Sequence, residues 1–423
     1  MNLLSTTLWS GLATALRLAS GLVVAKMVAI SGGPEALAAF GQFQSFLVLM
    51  AGISGMLFQS GIVKYAAEFR ENKDELACML ATAIKFSALI SLIGSLALLF
   101  FHRSIAELVL HQAAWASLFL VTGIVLPLLV TNGIALAFLN GMGQIRHYLM
   151  LNALTSFINM LAVVLLSLWY GVEGALYGLL VGPILSGMVS VGYAMRLHGA
   201  TLSVAVHTKM DRTWINRLAQ FAIMALTSLM TTALLPIAIR DELVKQIGWQ
   251  EAGYWQAVWQ LSGAYLGVIT AGFAVYYLPK LSKMTSDAEI RQEMHAFYKT
   301  AMPIVLLMGC LVYLLREQLL LILYSEKFLP AAPLFAWQIT GDMLKVASWV
   351  LSYMLTAKKM TAWYIGSELM FVGLMYAANY WAIPVLGIQA PVVVYAGMYA
   401  MYAVFVYALI GHRYLWRRNG SYT

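Results

Sequence analysis

The sequence has few charged residues and few cysteines. Only 10% of the 423 residues are Asp, Glu, Lys or Arg, 61% are hydrophobic, and the mean hydropathy is +0.79. Soluble domains carry about 25% charged residues, so this composition excludes a predominantly soluble protein. Cys78 and Cys310 are the only cysteines, and they lie in different apolar segments without metal-ligand neighbours. Neither a disulfide framework nor a thiolate metal site is indicated.

The sequence also lacks long polar segments. The longest one, 196–213, is too short to bury a hydrophobic core of its own. A membrane span needs about 20 apolar residues, and twelve segments meet this length: 6–30, 38–63, 78–101, 112–138, 148–170, 173–195, 214–239, 251–279, 295–315, 332–356, 362–383 and 389–412. The first has no basic residue before it and no cleavage site after it, which predicts a retained helix. The sequence therefore predicts an all-α polytopic membrane protein with twelve transmembrane helices.

Basic residues are distributed unequally between the two sides of these segments. With a cytoplasmic amino terminus, 17 of the 26 Lys and Arg residues fall on the cytoplasmic side, 5 on the other side and 4 within spans. The positive-inside rule then predicts that both termini are cytoplasmic. The same rule explains the net charge of +8 without a nucleic-acid partner.

The two halves of the sequence match each other at a constant shift of 216 residues. Identical residues then coincide at equivalent span ends, as Gly171 does with Gly387 and Lys64 with Lys280. This predicts two six-helix bundles, 1–196 and 214–423, which are parallel repeats joined by a cytoplasmic linker, 197–213. Chance agreement between apolar sequences is the alternative. Two such bundles can rock against each other and give alternating access.

The tenth span carries a polar face. Residues at helical steps of three and four form this face: Gln338, Asp342, Lys345, Trp349, Ser352, Thr356 and Lys359. Asp342 and Lys345 can neutralise each other. Two interpretations follow: the pair only helps the helix to pack, or Asp342 binds a coupling ion while Lys345 binds substrate.

The eighth span places amides beside indole rings. Gln256 and Gln260 lie on one small, polar face, next to Trp255 and Trp259. Indole rings stack on the apolar faces of sugars and amides bind their hydroxyl groups. The sequence thus predicts that Gln256, Trp259 and Gln260 bind a glycan. An aromatic belt at the membrane surface is the alternative interpretation, and it is favoured for Trp255.

The first bundle carries intramembrane cations. Arg17 lies in the middle of the first span with no acidic residue within helical reach, which favours a nearby anion. Lys26 and Lys64 are further candidates, although both can instead extend to the membrane surface. The second bundle carries Asp342 and Glu368, which predicts ion coupling there. Glu368 is also compatible with a packing role.

The segments "GYWQAVWQLSGAYLGVITAGFAVYYLPKLS" and "LFAWQITGDMLKVASWVLSYMLTAKKM" resemble the Wzx flippases of the multidrug/oligosaccharidyl-lipid/polysaccharide exporter superfamily. The resemblance covers the whole chain. It implies a two-lobed protein of the bacterial inner membrane that moves an undecaprenyl-pyrophosphate-linked oligosaccharide to the periplasmic leaflet. Lipid III of enterobacterial common antigen or a similar O-antigen repeat unit is the implied substrate.

The resemblance also implies roles and partners. Arg17 and Lys26 match in position the cations that, in related flippases, are thought to hold the pyrophosphate. H+ or another monovalent cation is the implied coupling ion, and a glycan polymerase and a chain-length regulator are implied neighbours in the membrane.

Three other functions are compatible with parts of the sequence. A peptidoglycan-precursor flippase has similar requirements, whereas a drug/cation antiporter is disfavoured by Arg17. A membrane glycosyltransferase or glycan ligase would need a larger outward loop. The sequence has no phosphate-binding glycine loop, metal-ligand cluster or supported Ser/His/Asp arrangement. The sequence therefore predicts that the protein is a transporter, not an enzyme, and that it needs no cofactor.

Overall fold

A computed structural model describes residues 3–273, 277, 280–281, 284, 286–358 and 360–410. Its α-helices are α1 (Leu3–Ser54), α2 (Gln59–Glu68), α3 (Lys73–Leu110), α4 (Ala116–Gly141), α5 (Ile145–His207), α6 (Arg212–Leu229), α7 (Leu235–Ile247), α8 (Trp249–Gly272), α9 (Asp287–Leu314), α10 (Arg316–Leu323), α11 (Phe335–Ala357), α12 (Thr361–Leu386) and α13 (Ala390–Val406). A π-helical turn, Met230–Leu234, joins α6 to α7.

Glycines with positive φ mark the sharp turns between spans. Gly33, with φ of 69° and Pro34 after it, breaks α1, and Gly171, with φ of 61°, breaks α5. Gly387 ends α12 with φ of 57°. Gly171 and Gly387, which the sequence repeat pairs, thus have the same left-handed backbone, a conformation that glycine adopts at no steric cost.

Seven helical stretches in the described part of the chain are long and apolar enough to cross a membrane. Two of these are broken at Gly33 and Gly171, and a third joins α12 to α13, so the seven stretches provide ten spans. The other two spans, α8 and α11, are less apolar because they carry amide and charged side chains. The prediction of an all-α, twelve-helix membrane protein is confirmed.

The chain forms two compact units. Unit 1 contains Met1–Gly32 and Ala39–Ile237, and unit 2 contains Gly33–Ala38 and Ala238–Thr423. These bounds differ from those of the repeated halves, 1–196 and 214–423, whose assignment as bundles stays a prediction.

The core of unit 1 brings α6 against α2 and α3. Phe58, Ile62, Leu80, Trp214 and Leu218 are among its buried side chains. The end of the predicted linker 197–213 is attached to α3 as well, because Lys85 Nζ donates a hydrogen bond to the Thr208 carbonyl at 2.7 Å. This contact gives Lys85 a structural role.

In unit 2, α11 lies directly against α13. Gly341 makes this possible, because an added Cβ would lie 2.3 Å from the nearest ring carbon of Tyr395. The close approach brings the polar face of α11 to the tyrosines of α13.

Candidate functional site

The carboxylate of Asp342 is the centre of a buried polar cluster in unit 2. Only 1% of this residue is exposed. Ser262 Oγ donates to Oδ2 at 2.7 Å, and the Tyr265 hydroxyl donates to the same oxygen. Tyr395 donates its hydroxyl to Oδ1 at 2.7 Å, and Gln338 Nε2 donates to Oδ1 at 3.2 Å. Four donors therefore occupy the acceptor sites that a carboxylate offers.

Three helices supply these donors. Gln338 is one turn before Asp342 on α11, Ser262 and Tyr265 share one side of α8, and Tyr395 comes from α13. All four donors are neutral groups. Hydrogen bonds of this kind stabilise a carboxylate in an apolar environment without a contacting cation.

The ammonium group of Lys345 lies among aromatic rings. Its Nζ is 5.1 Å from the ring centroid of Trp349, 5.2 Å from that of Tyr399, 5.5 Å from that of Tyr395 and 5.8 Å from that of Trp259. We call these four rings the aromatic cage. Distances below about 6 Å are those of attractive cation–π contacts.

Lys345 and Asp342 do not form a direct ion pair. The immediate partners of both residues are the rings and donors given above, and the Lys345 nitrogen does not lie within 4 Å of the Asp342 carboxylate oxygens. Asp342 and Glu368 still attract the ammonium at longer range. The acid and the base that share one helical face thus have separate immediate partners.

The predicted glycan-binding residues of α8 differ in their surroundings. Gln256 is buried, and its Oε1 accepts a hydrogen bond from Arg240 at 2.5 Å. Gln260 is half-buried, and its Oε1 has no hydrogen-bond partner among the described residues. Trp259 is half-buried and belongs to the aromatic cage. The structure therefore brings Trp259, Asp342 and Lys345 together, whereas Gln256 is occupied by Arg240.

The structure gives the other predicted site residues different degrees of exposure. In unit 1, Arg17 is exposed and Lys26 is half-buried. Lys64 is exposed, and its Nζ lies 4.7 Å from the ring centroid of Tyr65. In unit 2, Glu368 is half-buried on α12. Lys359, the last member of the polar face, lies outside the described residues.

Sequence reasoning missed five residues of this site. They are Arg240, Ser262, Tyr265, Tyr395 and Tyr399. The spacing of Tyr395 and Tyr399, one helical turn apart in an apolar span, was a usable signal. Nothing local marked Arg240, because it bonds a residue 16 positions away. Among the described residues, no group of three or more His, Cys, Asp or Glu side chains could hold a metal ion.

Solved membrane transporters share this polytopic helical fold. An inward-facing multidrug resistance MATE family transporter of the MOP superfamily has a TM-score of 0.73 at 16% identity, covering 95% of this chain and 94% of that one. A lipid II flippase in an inward closed conformation has a TM-score of 0.71 at 15% identity, covering 96% and 87%. At these identities the likeness concerns the fold alone.

The chain belongs to the polysaccharide biosynthesis protein family, whose sequence profile it matches over residues 36–333. It is 30% identical over 423 residues to the lipid III flippases of Escherichia coli (strain K12) and Shigella flexneri, with 99% of this chain and 100% of each relative covered. These findings confirm the predicted relationship to exporters of this superfamily. Both relatives are named as flippases, in agreement with the prediction that the chain is not an enzyme.

Proposed function

We propose that this chain is a flippase that moves a lipid-linked oligosaccharide across the bacterial inner membrane. The observation that carries the proposal is the full-length likeness to two lipid III flippases. The proposed cargo has an undecaprenyl-pyrophosphate carrier, and its glycan is lipid III of enterobacterial common antigen or a similar repeat unit. Movement runs from the cytoplasmic to the periplasmic leaflet by alternating access.

Arg17, Lys26 and Lys64 are the proposed partners of the pyrophosphate. The pyrophosphate carries two negative charges, so in an apolar environment it needs fixed cations, and the forked donors of arginine suit it best. The exposure of Arg17 on α1 supports this role, since an exposed residue can be reached by a ligand. In the sequence no acidic residue within helical reach competes for it.

Trp259 and Gln260 are the proposed partners of the glycan, and Lys345, which was predicted to bind substrate, lies beside Trp259 in the aromatic cage. The half-buried indole of Trp259 offers a stacking surface. Gln260 Oε1 is a buried acceptor with no partner among the described residues, and a sugar hydroxyl that reached it would satisfy it. Gln256 contributes through Arg240, whose guanidinium it orients by accepting a hydrogen bond.

Asp342 is the proposed coupling site, with Glu368 as a second carboxylate. Neutral donors surround Asp342, so a proton or a monovalent cation that reached it would change the local net charge without breaking an ion pair. Such a change inside a helix bundle shifts the relative stability of two conformations. Coupling to an ion gradient is thus a further part of the proposal.

Two features of the cellular setting belong to the same proposal. Both termini are cytoplasmic, supported by the 17 to 5 distribution of basic residues. A glycan polymerase and a chain-length regulator act on the delivered product in the same membrane.

Reconstitution of the purified chain into liposomes tests the function. A fluorescent lipid-linked oligosaccharide should become accessible to an external quencher when the chain is present. A lipid II analogue and an organic dye cation are parallel cargoes. Transport of the oligosaccharide alone supports the proposal. Faster transport of the lipid II analogue would instead indicate a peptidoglycan-precursor flippase, and faster transport of the dye cation a drug/cation antiporter. Collapse of the proton gradient should slow the oligosaccharide, and Asp342→Asn should remove this dependence.

A further inference from the structure

The position of the Lys345 ammonium is determined by aromatic rings. Four rings surround its Nζ at 5.1 to 5.8 Å. Among the described residues, no hydrogen bond or ion pair to Nζ accompanies these contacts. Lys64 is different, because it is exposed and, in the described part of the chain, its Nζ lies over two rings, those of Tyr65 and Phe221.

The aromatic cage is supported by contacts that do not involve Lys345. The rings of Trp259 and Tyr395 pack edge to face at 5.6 Å, and those of Tyr395 and Tyr399 at 4.8 Å. The Tyr395 hydroxyl is fixed on Asp342. Outside the cage, Phe371 packs against Tyr399 with ring centroids 4.9 Å apart. Because these contacts join α8, α12 and α13, the cage should persist when the lysine side chain is removed.

We propose that the aromatic cage is a binding site for an ammonium ion, that Lys345 is its tethered occupant, and that a free primary alkylammonium ion binds there when this side chain is shortened. The negative faces of several aromatic rings attract cations, as in the cages that bind quaternary ammonium groups. Asp342 and Glu368 add a longer-range attraction. The ligand class is therefore a small organic cation and not a metal ion.

The aromatic cage gives Lys345 a defined role in ion coupling, and this role rests on the proposed flippase function. The rings hold the positive charge inside the bundle without a carboxylate in contact. A proton can then bind to or leave Asp342 while the charge of Lys345 stays in place. Lys345 is therefore a positioning residue: its role is to keep one positive charge inside the aromatic cage.

The test uses the full chain with Lys345→Ala, purified in lipid nanodiscs. Radiolabelled propylammonium is the probe, because it has the same three carbons and one nitrogen that the substitution removes. We expect saturable binding to the variant, and binding at least about tenfold weaker to the unsubstituted chain, whose cage is occupied. Unlabelled propylammonium should compete and propan-1-ol, its uncharged analogue, should not. Lys345→Ser replaces Lys345→Ala if the latter is not monodisperse.

A matched pair of tryptophan substitutions locates the binding. Added to Lys345→Ala, Trp349→Leu removes one cage ring and should weaken binding about fivefold to tenfold. Trp337→Leu removes a tryptophan of the same helix that is 46% exposed, and it should leave binding unchanged. The proposal is overturned if the folded variant does not bind propylammonium, if propan-1-ol competes equally, or if both substitutions have the same effect. None of these outcomes depends on transport, so failure of the flippase proposal is detected separately.

Discussion

Replacing Gly341 by alanine should destabilise the protein, although the same change in most helices is stabilising. Gly341 lies in the interior of α11, where alanine is favoured over glycine by about 1 kcal/mol. An added Cβ, however, would lie 2.3 Å and 2.7 Å from two ring carbons of Tyr395 and 3.2 Å from Ala396 Cα. Carbon atoms pack at about 3.5–4.0 Å, so the ring or the helix must move by more than 1 Å.

Tyr395 cannot make this movement without weakening its hydrogen bond to Asp342 and its packing in the core. Its hydroxyl donates to Asp342 at 2.7 Å, and its ring is 2% exposed. Overpacking of a core costs about 1–3 kcal/mol, and a hydrogen bond to a charged group contributes about 1.5–3 kcal/mol. After subtraction of the helix propensity of alanine, a net destabilisation of about 1.5–5 kcal/mol is expected.

The measurement compares two glycines. Thermal stability in detergent is followed as the fraction of monodisperse protein left after heating, for Gly341→Ala and for Gly373→Ala. Gly373 lies within α12, and apart from its own helix backbone and chain neighbours no atom of the described residues lies within 4 Å of an added Cβ, so its substitution should leave the midpoint temperature unchanged or raise it. Gly341→Ala should lower this temperature and reduce transport. Equal midpoint temperatures for the two variants would refute the close packing of α11 on Tyr395.

Three other predictions concern the charged residues and the topology. Asp342→Ala should lower the free energy of unfolding by about 3–5 kcal/mol, because four donors, three of them on buried residues, lose their acceptor. Adding Lys345→Ala should not restore stability or transport, because the two side chains have separate partners. A fully active double variant would contradict this. Arg17→Ala should abolish complementation of an E. coli strain that lacks its lipid III flippase, although the variant protein reaches the membrane in normal amount, and Arg17→Lys should retain part of the complementation. As the control, Arg103→Ala changes an exposed arginine outside the proposed site and should complement normally. Full activity of Arg17→Ala would exclude the pyrophosphate role. A cysteine at Ser286 should react with impermeant thiol reagents only from the cytoplasm, and periplasmic labelling would reverse the proposed orientation.

The sequence by itself determined the number of spans and the polar face of α11. Both depend on contiguous residues: a run of about 20 apolar residues defines a span, and the helical period places Gln338, Asp342 and Lys345 on one side. The left-handed turns at Gly171 and Gly387 are local in the same sense, because glycine alone adopts positive φ without a steric penalty.

Only the tertiary structure decided what each polar group contacts. Sequence spacing indicated that Asp342 and Lys345 can neutralise each other. The structure gives Asp342 three of its four donors from 53 to 80 positions away, and it directs the lysine toward rings from three helices. The reason is that a buried charge is stabilised by whichever groups the packing brings within a few ångströms. That packing depends on the close approach of α11 and α13 at Gly341, which no helical period encodes.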